Sequence, residues 1–133
     1  RGFRNAFDSI WNELKTLLDS YGDTPVWITG HSLGGALSVH CASKMVANGC
    51  YTFGSPRVGS KKFNQSIMTP IYRIAKNNDI VTRIPTPPVY HHHGDLYFIT
   101  NDQQILKNPS MSSMIKERLG GNEMKILRIF ARS

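Results

Sequence analysis

Gly30-His31-Ser32-Leu33-Gly34 fits the pattern G-x-S-x-G, in which a serine stands on a sharp turn between a strand and a helix. Such a turn exposes the hydroxyl as a nucleophile. The glycines two before and two after it are expected to leave room for the turn and for close helix–strand packing. The helix that follows aims its positive N-terminal end at the site, which favours negative charge developing there. A plain helix N-cap is the structural alternative for Ser32. A four-residue apolar run before the motif and a helical pattern after it favour the nucleophile.

A hydrolase built on this turn carries its partners in the chain order serine, acid, histidine. Between Ser32 and the histidines at 91–93 there is one carboxylate, Asp79, and the only histidines after it are His91, His92 and His93. The residues thus leave one acid and three adjacent candidates for the base. Ser32 would attack an ester carbonyl, and the histidine would take its proton and return it to the leaving alcohol. Asp79 would hold the imidazole's tautomer, and the backbone N–H of Leu33 would donate to the oxyanion. A metal site at the histidine run is disfavoured, because neighbours on a strand point to opposite faces. No metal or other cofactor is expected. His31 and His40 are expected to pack, and Gly54, Pro56 and Gly59 to shape a loop near the site. Arg57 would pair with a carboxylate or lie solvated.

The elements that must position these groups follow from periodicity. Phe3, Phe7, Ile10, Trp11, Leu14, Leu17, Leu18 and Tyr21 recur at helical spacing, so residues 3–21 predict an amphipathic helix with a core-packing stripe, stopped at Gly22. Val26–Thr29 predicts a short buried strand and Leu33–Ala47 a helix. Cys50–Phe53, Ile71–Lys76 and Leu96–Thr100 predict further strands, with a short helix near Ser60–Ile67 and an Asn- and Pro-rich loop over 77–90. Residues 110–119 predict a helix, while Lys125–Phe130 fits neither pattern. Strands alternating with helices indicate an α/β domain with a largely parallel sheet. Functional groups should then collect at the carboxyl ends of the strands, in the loops at 30–35, 54–59, 77–90 and around 91–95.

Composition narrows the function classes. The chain has 133 residues, which is one domain or part of one, and a net charge of +7. The charge is uneven: −1 over residues 1–23, +6 over 24–94 and +2 over 95–133. A basic surface can attract nucleic acid or an anionic membrane surface. No zinc-finger spacing, aromatic RNA-binding strand or basic helix run accompanies it, so no nucleic-acid partner is expected. No apolar run reaches the ~20 residues that span a bilayer. Cys41 and Cys50 are expected to be free, buried thiols.

At four ordered blocks the sequence resembles the class 3, fungal-type lipases of the α/β-hydrolase fold. The blocks are Val26–Leu37, Tyr51–Gly59 with Phe63, Asn77–Val81 with Arg83, Ile84 and Pro85, and Tyr90–Ile99. Together they cover residues 2–100. The resemblance implies an α/β-hydrolase fold with a largely parallel sheet and flanking helices. Residues 1–133 would be the C-terminal portion of one such domain, incomplete because the early strands, the lid and the second oxyanion donor would lie upstream of Arg1. It also implies a triad of Ser32, Asp79 and His92, the last chosen because the family's histidine stands two residues before a glycine, here Gly94. Two departures, Thr82 where proline is usual and Leu96 where glutamate is common, are expected to leave the triad untouched. The implied activity is hydrolysis of lipid esters, acylglycerols foremost, with a lipid–water interface as a candidate setting. A phospholipase or feruloyl-type esterase of the same fold, or a silent hydrolase relic that only binds, are the alternatives. Such relatives are secreted or intracellular, and secretion is slightly favoured.

Overall fold

The 3–4 spacing of apolar residues gives α1, Gly2–Ser20. A computed structural model describes residues 2–77, 79, 81–83 and 89–130, with Arg83 and residues 121–130 as backbone alone. Asn78, Ile80, Ile84 and Pro85 of the motif blocks lie outside the described residues. The helix buries less than its stripe suggests. Phe7 is buried, but Ile10, Leu17 and Tyr21 are exposed. What holds α1 is one side of its middle turns. The Lys44 ammonium sits 2.8 Å from Asp8 Oδ1 and 5.6 Å above the Trp11 ring, which packs on Phe7.

Five strands form one sheet in sequence order: β1 Trp27–His31, β2 Gly49–Phe53, β3 Ile71–Lys76, β4 Asp95–Ile99 and β5 Ile105–Lys107. The first four run parallel, and β5 returns antiparallel to β4. Helices α2, Leu33–Lys44, and α3, Lys61–Gln65, connect the first three strands. A single 3-10 turn, Val81–Arg83, follows β3, and α4, Met111–Phe130, closes the chain order. The sheet and its helical connections match the expected α/β class. The α4 backbone also absorbs Lys125–Phe130, where periodicity was ambiguous. Strand β5 gave no sequence signal, since a three-residue, fully exposed edge carries no alternation to read.

Alternation along the strands divides the sheet into two unlike faces. One face buries Cys50, Ile71, Ala75 and Phe98, and Val39, Ala42 and Ile67 complete a core cluster with Cys50 and Ile71. The other face carries an aromatic row. Ring centroids step from Trp27 to Tyr51 (6.1 Å), to Tyr72 (4.9 Å) and to Tyr97 (6.4 Å). Trp27, Tyr51 and Phe53 of this face are exposed. The expectation that residues 26–29 form a buried strand is corrected accordingly. β1 is the outer strand of the described sheet, and Trp27 is 61% exposed.

Candidate active site

β1 ends where Ser32 turns the chain sharply. Ser32 has φ 52° and ψ −119°, a left-handed conformation that costs a non-glycine residue about 1–3 kcal/mol and is found where structure around it over-determines the turn. Its N–H donates to the Phe53 carbonyl at 2.9 Å, fixing the turn against the end of β2. Its own carbonyl accepts from the Gly35 and Ala36 N–H groups and so starts α2. The Ser32 hydroxyl makes no capping bond, which removes the N-cap reading. Leu33 opens α2, and its N–H belongs to the first-turn donors that a helix leaves without an internal partner.

The glycines around Ser32 act differently from the expectation. A Cβ on Gly30 would strike the Gly34 carbonyl and lie 2.5 Å from Ser38 Oγ. A Cβ on Gly34, the second glycine of the motif, would meet nothing within 4 Å. The close approach belongs instead to Gly35, where a Cβ would stand 2.7 Å from Ser55 Cβ and 3.2 Å from the Gly30 carbonyl oxygen. The helix rotates about 100° per residue, so the next position, not Gly34, faces the strand.

Asp79 lies just past the carboxyl end of β3, at the same edge as Ser32. Its Oδ1 accepts from the Val81 N–H at 3.0 Å, and its backbone N–H donates to the Lys76 carbonyl at 3.1 Å. Its Oδ2 occupies the place a Cβ of Gly54 would take, and His31 Nε2 is 3.9 Å from that point. Gly54 is required twice over, for its φ of 58° and for this contact. The structure thus gathers Asp79, Gly54 and His31 beside the serine turn.

His92 is placed elsewhere. Its ring Nε2 donates to the Thr82 carbonyl at 2.6 Å, and no contact with Asp79 or Ser32 is present among the described residues. The segment enters β4 from the amino end. Gly94 packs on Ile71, the first residue of β3, so closely that an added Cβ would stand 2.7 Å from Ile71 Cβ. The expectation that residues 91–95 form a carboxyl-end loop is therefore corrected: they precede their strand. Burial above all, with the positive charge of Arg73 and of Arg57, holds the His92 imidazole down at about 4, against an opposing pull from the Thr82 carbonyl. His91 is a backbone anchor. Its N–H donates to the Gly59 carbonyl at 2.9 Å and its carbonyl accepts from Asn64 Nδ2 at 3.0 Å. His93 is also shifted down, by burial first and then Arg73. His40 is buried against Phe63, as expected of a packing residue. Cys41 and Cys50 are free and buried, and burial pushes the Cys50 thiol up to about 12.

Thr82, noted in the sequence only as a departure from proline, has a structural role. Its hydroxyl donates to the Asp79 carbonyl at 2.9 Å while its carbonyl holds His92. The threonine hydroxyl, which proline lacks, therefore touches one candidate residue, Asp79, contrary to the expectation that the departure leaves the triad alone; the carbonyl that holds His92 is one any residue would offer. The signal was present in the sequence as a hydroxyl three residues after an aspartate. The second departure, Leu96, pairs in register with Arg73 across β3 and β4.

Known proteins are similar to this chain in sequence and fold. A lipase of Rhizomucor miehei is 33% identical over 119 residues, covering 77% of this chain and 33% of that protein. Phospholipase A1-II 1 of Oryza sativa subsp. indica is 33% identical over 120 residues, covering 80% of this chain and 30% of its own length. A solved triacylglycerol lipase, described as having a serine-protease triad at its catalytic centre, superposes with a TM-score of 0.69 at 32% identity, over 82% of this chain and 48% of that one. The chain spans about a third of the length of these relatives and about half of the solved structure. The class 3 lipase family model matches residues 1–89, two thirds of the chain; with the strained serine turn and the parallel sheet behind it, this chain belongs to the class 3 lipases, of the α/β-hydrolase fold.

Proposed function

We propose that the protein is a serine carboxylic-ester hydrolase acting on lipid esters, in the manner of a triacylglycerol lipase. The observation that carries this is the left-handed Ser32 between β1 and α2, which presents the hydroxyl where a helix N-terminus meets a strand end. Ser32 Oγ adds to the ester carbonyl and a histidine takes its proton. The Leu33 N–H donates to the oxyanion, one such donor being worth ~10²–10³ in rate. The C–O bond of the leaving alcohol then breaks as the histidine returns the proton, leaving an acyl-enzyme. Water hydrolyses that ester by the same sequence. Asp79 orients and stabilises the imidazolium. His92 is the sequence's candidate for the base, and to serve it must exchange the Thr82 carbonyl for Asp79 and Ser32. On the present geometry we read it as a structural ring, so the proposal stands on Ser32 and Asp79. Alanine variants at His91, His92 and His93 decide whether any of them supplies the base.

A phospholipid substrate is the second reading, favoured by the similarity to phospholipases A1. Initial rates of the complete protein on acylglycerols and phospholipids of matched chain length, with Ser32→Ala alongside, separate the two. Acylglycerol hydrolysis that vanishes in the variant is the expected result. Phospholipid preference moves the assignment to the second reading. A folded wild type that hydrolyses neither overturns both.

A further inference from the structure

A cavity of about 340 Å³ lies between β3, β4 and the first turns of α4. That is within the ~300–1,000 Å³ typical of small-molecule sites. Arg57, Arg73, Arg118 and His92 line it, and so do Phe98, Met111 and Met114. No acidic side chain lines it among the described residues. Arg73 is the telling group. Its Nε is buried and has no hydrogen-bond partner. The residue paired with it on β4 is Leu96, which can offer no counter-charge. Burial first, then Arg57, lowers its guanidinium to about 10, so it stays charged at neutral pH. A half-buried guanidinium with an unpartnered Nε is costly to keep charged, and an anion with hydrogen-bond acceptors beside it relieves that cost. Lys76 and Thr82 also line it, and the apolar share, Ala75, Leu96, Phe98, Met111 and Met114, suits a hydrocarbon chain.

We propose that this cavity binds a carboxylate-headed amphiphile, its head on the Arg73 guanidinium and its tail against Phe98, Met111 and Met114. The site is separate from the Ser32 turn, and its binding does not depend on the hydrolytic reading. The test titrates the complete protein with decanoate and follows the His92 ring by NMR, with histidines labelled and the His92 signal assigned by its loss in His92→Gln. A saturable shift with decanoate, but none with decanol or inorganic phosphate at equal concentration, is expected. Leu96→Glu sets a carboxylate opposite Arg73 and should weaken decanoate binding about tenfold or more, as should Arg73→Met. Circular dichroism checks that each variant folds, and where one does not, the three wild-type titrations decide. The proposal is overturned if decanoate gives no saturable shift or if decanol binds as well. It is equally overturned if phosphate matches decanoate, or if folded Leu96→Glu binds like the wild type.

Discussion

The turn at Ser32 and the segment from Asp79 to His92 were expected to form one site, yet they are held in different ways. The serine turn is a local object. Six residues, Gly30–Gly35, contain its strain and the start of the helix that fixes it, and a bond to Phe53 with close approaches to Ser38 and Ser55 completes it. The second segment is assembled from distant parts. Asp79 leans on Gly54, Thr82 links Asp79 to His92, and His91 hangs on Gly59 and Asn64. Local constraint makes a motif that survives being read alone. Distributed constraint leaves the neighbours' positions to the rest of the fold.

The largest effect should break the expected unity of the second segment. Asp79→Asn should lower kcat on an ester substrate by ~10⁴, because an amide holds the histidine in the wrong tautomer. His92→Ala should stay within about tenfold of wild type if the ring remains on Thr82, which is what its geometry predicts. A loss as large as that of Asp79→Asn would restore His92 to the triad.

The next tests concern stability. Gly30→Ala places a methyl against the Gly34 carbonyl and Ser38 Oγ, and should cost about 3 kcal/mol in denaturant unfolding. His92 adds a pH dependence. Its folded value of about 4 lies below the ordinary 6.5 of an unfolded chain. The unfolded state therefore binds the proton more readily. Stability from this ring is intact above pH 6.5 and is lost as pH falls towards 4, by at most about 3 kcal/mol. Urea melts of wild type and His92→Gln between pH 7 and 4 should converge if this holds, and parallel curves would remove it. The smallest effect sharpens the contrast within the turn. Gly34→Ala meets open space in a helix and should stabilise by about 0.5–1 kcal/mol, opposite in sign to Gly30→Ala.

Legible in the residues alone were the α/β class, the strand Ile71–Lys76 to the residue, the sharp turn at Ser32 and the one carboxylate between Ser32 and His91. These rest on short-range rules: alternation, helical spacing and a five-residue motif whose strain is local. Only the tertiary structure decided which glycine touches the strand, because that depends on the rotation of α2 against β1. Only it decided that Leu17 and Tyr21 face solvent, since an apolar stripe states what could be buried and not what lies opposite. It also seated the His92 ring on the Thr82 carbonyl. Sequence order placed a histidine after an acid, but only the fold brings the Thr82 carbonyl against its ring. The basic cavity around Arg73 was invisible for the same reason, since its lining comes from two strands, a helix and two loops that no local pattern connects.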